Sequence, residues 1–168
     1  MSRIYEDRGA ARRLDIYMII LGLVFLAGCR ELWEALAVDP ADFSGLAFGA
    51  VFVGGAVYGV YQTFNDGRDL VTAFDVDFDA GNARVTMWQP FRRPVMEAPL
   101  SEFANWRFWV KVAGALRRYQ LFAELRGYPR KLVFELNPSK PLDGLRRIAP
   151  AAIADFENSP GSKKAGPG

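Results

Sequence analysis

The stretch FSGLAFGAVFVGGAVYGVYQTF, residues 43–64, runs for 22 residues without a charged side chain. As a helix it rises about 33 Å, enough to cross the ~30 Å hydrocarbon layer of a bilayer. A core helix of a soluble protein normally shows a polar stripe at this length, so the segment reads as a membrane span. Gly45 and Gly49 stand four apart, and so do Gly55 and Gly59. Small residues at that spacing let two helices approach closely. They seat either the first helix of the same chain or a helix of a partner protein. Tyr58 and Tyr61 suit the headgroup level near the end of the span.

A second apolar segment precedes it. In LDIYMIILGLVFLAGC, residues 14–29, the strictly uncharged part is only 14 residues long. The good helix formers of RELWEALAV extend it, with Asp15 at one interface and Arg30 and Trp33 at the other. Asp39 and Pro40 are expected to end this helix, and Ser44 to cap the next. Two spans result, about 14–38 and 43–64. The LAGC run at 26–29 also matches a bacterial lipobox, which would make Cys29 a lipidated N-terminus. Glu6, Asp7 and Asp15 in the preceding segment speak against it.

Charge orients the hairpin. Residues 1–13 hold Arg3, Arg8, Arg12 and Arg13, whereas the loop 30–43 holds one Arg against Glu31, Glu34, Asp39 and Asp42. Sixteen Lys and Arg follow residue 64. Positive charge stays on the cytoplasmic side, so both termini are expected inside a bacterial inner membrane, with 1–13 a cytoplasmic segment. Histidine is absent and Cys29 is the only cysteine. The commonest general base and metal ligand are therefore missing, and no Cys-based zinc site can form. No nucleophile elbow or phosphate loop is visible. The reading is a non-enzyme without cofactor or metal.

From residue 70 the apolar period changes from helix to strand. In LVTAFDVDFD, Phe74, Val76 and Phe78 face one way, and Asp75, Asp77 and Asp79 face water. The run DAGN turns the chain into ARVTMWQP, where Val85 and Met87 oppose Thr86 and Trp88. The aspartate row fails the calcium-loop pattern, because Ala80 and Thr86 stand where Gly and Glu are required. RPVMEAPL reads as an edge strand. In NWRFWVKV, Trp106, Phe108, Val110 and Val112 face inward and Arg107, Trp109 and Lys111 outward. LRRYQLFAEL fits either a strand or a helix; read as a strand, it places Tyr119, Leu121, Ala123 and Leu125 inward, and RKLVFELN places Leu132, Phe134 and Leu136 inward. Pro141 opens a C-terminal helix whose apolar face is Leu142, Leu145, Ile148, Ala152 and Phe156, split or kinked at Pro150. Residues 159–168 read as a disordered tail. The fold class is thus α+β: a transmembrane hairpin at 14–64, then a small antiparallel sheet or barrel at 68–158 closed by a C-terminal helix, with five or six strands.

In layout the chain resembles bacterial membrane proteins that carry a pleckstrin-homology-like domain after a two-helix hairpin. The resemblance rests on the paired spans, the hairpin VDFDAGNARVTM, the pair VMEAPLSEFANWRFWV and the closing KLVFELNPSKPLDGLRRIA. It implies a cytoplasmic barrel-like domain with a role in binding or assembly, and no active site. Residues 90–150 hold twelve Lys and Arg against five acids. Arg92, Arg93, Arg107, Trp109, Lys111, Arg117 and Arg118 are the candidate surface, with Arg130, Lys131, Arg146 and Arg147 as further basic positions. Its partner is either a protein of a membrane complex or anionic lipid headgroups; nucleic acid is not expected, since no binding motif appears.

Overall fold

The computed structural model describes residues 1–37, 43–113 and 116–159. It divides into two units: Met1–Ala11 with Asp69–Gly168, and Arg12–Arg68.

The second unit is a helical hairpin made of α1 (Arg8–Ala37) and α2 (Phe43–Gly67). Helix α1 starts earlier than the apolar pattern suggests. Asp7 precedes it, and its side chain accepts the Ala10 N–H at 3.0 Å, an N-cap bond that satisfies a donor of the first turn. Helix α2 begins at Phe43, so Ser44 lies within its first turn and not at the cap. Both helices are long and apolar enough to cross a membrane, and only 6 % and 11 % of their most apolar stretches are buried. A soluble core helix would be mostly covered. Here Ile19, Leu23, Leu26, Phe48, Val51 and Val57 are all exposed. The linker 38–42, with Asp39 and Pro40, lies outside the described residues.

The first unit holds seven strands among its described residues, against the five or six that the sequence pattern suggests. The strand that the pattern does not suggest is β1 (Ser2–Glu6), within the N-terminal segment 1–13. The others are β2 (Val71–Asp77), β3 (Asn82–Met87), β4 (Val95–Pro99), β5 (Phe103–Ala113), β6 (Leu116–Leu125) and β7 (Lys131–Leu136). They form two antiparallel sheets, ordered β1-β2-β3-β4 and β5-β6-β7. Strand β1 pairs with β2 through Ser2↔Val76, Arg3↔Asp75, Tyr5↔Phe74 and Glu6↔Ala73, with an irregularity at Ile4. A strand on one side of the helical hairpin is therefore hydrogen-bonded to the strand on the other.

The β2–β3 hairpin turns where DAGN implies. Gly81 takes φ 67°, which glycine adopts without steric cost, and the Asp77 carboxylate accepts the Ala80 N–H at 3.1 Å. Strand β5 carries a bulge between Ala104 and Arg107, where Asn105 takes φ 54° and its amide donates to Glu124 at 2.6 Å. The inward residues of β2, β3, β6 and β7 make the core, with Phe74, Val76, Val85, Leu121, Leu132 and Phe134 fully buried. Aromatic rings fill its centre: Phe134 lies 5.2 Å from Tyr5, 5.6 Å from Phe74 and 5.5 Å from Trp106. Two side chains depart from the alternating pattern. Trp88 was expected outward and is fully buried, because β3 ends at Met87 and the alternation ends with it. Val112 was expected inward and is 65 % exposed, near the end of the long β5–β6 hairpin.

The C-terminal helix is split at Pro150, as the sequence implies, into α3 (Asp143–Ile148) and α4 (Pro150–Asn158). Pro141 stands two residues before α3 and not inside it. Leu145, Ala149, Ala152, Ile153 and Phe156 are buried. The Phe156 ring meets Phe108 at 5.5 Å and Tyr119 at 5.4 Å, both edge-on, which ties α4 to the second sheet. Helix α3 covers the β1 edge so closely that a Cβ at Gly144 would collide with Ile4; covering an edge strand also blocks unwanted pairing there. Of the expected tail only Ser159 is described. It is buried, with its hydroxyl donating to the Phe156 carbonyl at 2.6 Å.

Candidate partner surfaces

The two aspartates of β2, Asp75 and Asp77, are engaged within the fold. Arg3 brackets the Asp75 carboxylate at 2.8 Å and 3.3 Å, and leaves the Asp75 side chain only 13 % exposed. This corrects the expectation of a fully solvated acidic row: the missing strand β1 supplies the counter-charge. The Ala80 N–H bond holds the Asp77 carboxyl below the ordinary aspartate value. Among the described residues no group of three or more His, Cys, Asp or Glu is placed to hold a metal ion.

The seven candidate surface residues fall into three places. Arg107, Trp109 and Lys111 alternate along β5 and point away from the core, as alternation requires. Their cross-strand partners on β6 are Phe122, Gln120 and Arg118. Arg107, Lys111 and Arg118 thus surround Trp109, which is 63 % exposed. Lys111 directly opposite Arg118 is an unfavourable like-charge pair, eased by Glu135 of β7 at 3.7 Å from the Arg118 guanidinium. Arg117 pairs with Val112 and lies on the other face of the same hairpin. Arg92 and Arg93 belong to the first sheet, in the β3–β4 connection.

That connection is a tight turn. Gln89 and Arg92 exchange backbone hydrogen bonds at 3.2 Å and 3.0 Å around Pro90 and Phe91, and Phe91 has φ 58°. The Phe91 ring is 66 % exposed. Phe91 is not among the candidates that the strand period suggests; the signal for it was Pro90, which favours the second position of a turn and leaves the next residue at its tip. The turn sits at a definite end of the sheet. Val71, the first residue of β2, pairs with Met87, the Trp88 N–H donates to the Leu70 carbonyl at 2.8 Å, and Glu6, the last residue of β1, pairs with Ala73. The Phe91 turn therefore occupies the end of the first sheet from which the chain leaves for α1 and returns from α2.

The other basic residues are largely matched. Arg130 faces Asp69 at 3.5 Å and Lys131 faces Glu124 at 3.4 Å. Asn105 holds the Glu124 carboxyl below its ordinary range, with Lys131 adding to the effect. Arg146 pairs with Glu157 and Asp143. Arg147 lies 4.3 Å over the Phe78 ring. An open groove of about 520 Å³ between Glu102, Glu124, Arg126, Tyr128 and Lys131 has a lining of mixed sign.

The candidate glycines divide by contact. A Cβ at Gly49 would lie 2.6 Å from Leu32 Cγ, and one at Gly59 2.6 Å from Leu21 Cδ2, so both face α1 of the same chain. Gly28, not singled out in the sequence, makes the reciprocal approach to Phe52 and Val53. Gly55 has nothing within 4 Å of a Cβ position, and Gly45 is half-buried. Cys29 lies inside α1 and is exposed. Compared with protein-family models, with curated proteins and with solved structures, the chain matches none.

Proposed function

We propose that this chain is a non-enzymatic accessory or scaffold protein of the bacterial inner membrane. Its two helices cross the bilayer, both termini lie in the cytoplasm, and the β domain, related in plan to pleckstrin-homology-like domains, presents the outer face of its second sheet to a protein partner. The observation that carries the reading is the pairing of β1 with β2. The residues that flank the hairpin belong to one sheet, which supports a hairpin that leaves and re-enters on one side, as an even number of crossings does. The exposed apolar surface of both helices is what hydrocarbon would solvate. Within the β domain, Trp109 ringed by Arg107, Lys111 and Arg118 has the composition of an interface anchor, since Trp and Arg dominate such contacts.

A photo-crosslinking amino acid at position 109 of the full-length protein in native membranes tests this. A discrete protein adduct is expected. Lipid adducts alone, or a lone monomer after mild-detergent purification, would overturn it. A second reading has its own support. The Phe91 turn carries Arg92 and Arg93 beside an exposed aromatic ring, a composition that would attract anionic headgroups at roughly 1 kcal/mol per basic residue. A spin label at Phe91→Cys in a Cys29→Ser background should then report contact with phosphatidylglycerol vesicles that weakens as salt rises. No contact at low salt would exclude it.

A further inference from the structure

Three close approaches fix how α1 and α2 run past each other. Leu21 lies against Gly59, Gly28 against Phe52 and Val53, and Leu32 against Gly49. The residue numbers of every pair total 80 or 81, so the helices are antiparallel in a single register. In that register Arg30 is level with Val51, Glu31 with Ala50 and Glu34 with Ala47. The charges of α1 therefore stand beside the apolar first three turns of α2 and not beyond them. They are not hidden in the hairpin either: Arg30 and Glu34, bonded at 2.6 Å, are 76 % and 53 % exposed. At the other end Asp15 is level with Asp66. The layer in which neither helix carries a charge spans only residues 16–29 of α1, 14 residues, or about 21 Å. Four exposed aromatic side chains stand near the edges of this layer, while Tyr58 and Tyr61, expected at headgroup level, fall inside it, level with Leu23 and Ile20. Tyr17 is level with Phe64 and Trp33 with Phe48, all four exposed. The two levels are 16 residues apart on each helix, or ~24 Å, in the manner of the two interfacial belts of a span.

We infer that the hairpin is matched to a bilayer with a hydrocarbon layer about 21–24 Å thick, thinner than the ~30 Å of an ordinary bilayer. The inference rests on the spanning reading above. In a thicker bilayer Arg30, Glu31 and Glu34 are drawn below the interface, where charge is costly. Tilting relieves a span that is too long and worsens one that is too short. Helix α1 cannot slide past α2 while the glycine contacts hold. The remaining responses are local thinning of the lipid or partition into thinner membrane.

The test is reconstitution of the full-length protein into phosphatidylcholine vesicles with fourteen-, eighteen- or twenty-two-carbon chains, each mixed with brominated lipid of the same or another length. The signal is the part of the tryptophan quenching that Trp33→Phe removes. The fourteen-carbon lipid is expected to surround the protein at least about threefold more strongly than the twenty-two-carbon lipid. A variant carrying Arg30→Leu, Glu31→Leu and Glu34→Leu should move the preference to eighteen carbons or longer. Equal quenching by all lengths, a preference for longer chains in the natural sequence, or a triple variant that keeps the fourteen-carbon preference overturns the inference. No quenching by any lipid overturns the spanning reading itself. Should the triple variant fail to fold, the ranking for the natural sequence decides alone.

Discussion

Tyr5 reaches from β1 into the middle of the core, where its ring meets Phe134 edge-on at 5.2 Å and its hydroxyl donates to the Glu135 carbonyl at 3.0 Å. Burial pushes its phenol far above the ordinary value, so it is a neutral structural anchor. Tyr5→Ala removes a large buried ring and should destabilise the β domain by about 3–5 kcal/mol. Tyr5→Phe removes only the hydrogen bond and should cost about 1 kcal/mol; urea unfolding in detergent separates the two. Cleavage before Cys29 would remove this anchor with all of β1, so intact-mass measurement should return a chain that retains Tyr5. Asp77 makes a pH-dependent contribution. Its folded pKa lies below its unfolded value, chiefly through the Ala80 N–H. The stability it adds is therefore complete above the ordinary aspartate range and is lost as pH falls through the lowered folded value. The stability difference between the natural protein and Asp77→Asn should shrink as acid is added through that window, and a difference constant with pH would contradict the assignment. Trp109→Ala, at an exposed position, should leave stability within about 0.5 kcal/mol; under the proposed partner-binding role it should also abolish the cross-linked protein adduct.

At the scale of elements, the helix pair gives the sharpest contrast. Gly49→Leu and Gly59→Leu would force α1 away, an overpacking worth about 1–3 kcal/mol each, whereas Gly55→Leu points into open space and should be neutral or nearly so. Thermal unfolding in one detergent compares the three. The same contrast shows what was legible in the sequence. Strands β3, β6 and β7, and β2 from Phe74 onward, are covered on one face, so their alternation could be read directly. Pro150 announced the split between α3 and α4, and the uncharged runs announced both long helices. Strand β1 was illegible because five residues, Ser-Arg-Ile-Tyr-Glu, carry no clear period, and an irregularity at Ile4 breaks what there is. Its partner also lies some 70 residues away. Trp88 and Val112 failed for a related reason: alternation holds only while a strand is paired and covered, and both sit where that support ends. Of the candidate surface, the β5 face was readable from its period. Its separation from Arg92 and Arg93 was not, because it depends on which sheet each strand joins.

For the whole molecule, one sheet holds both ends of the helical hairpin. Lys140 fastens the end of β1 within the first unit, donating to the Glu6 carbonyl at 2.9 Å beside Asp7 at 3.8 Å. Removing residues 1–6 would expose the β2 edge and open the core where Tyr5 sits. A protein shortened in this way should aggregate or lose its cooperative unfolding transition, even though both long helices remain. The most direct test of the account is the sidedness of that arrangement in a real membrane. Single cysteines are placed at Ser2, at Ser101 and in the short loop at Asp39, each with Cys29→Ser, in sealed vesicles of known orientation. They are then exposed to a maleimide that cannot cross the bilayer. The account predicts that Ser2→Cys and Ser101→Cys react on one side and Asp39→Cys on the other, each shielded until its own side is opened. Reaction of all three from the same side, or of Ser2→Cys and Ser101→Cys from opposite sides, would contradict it.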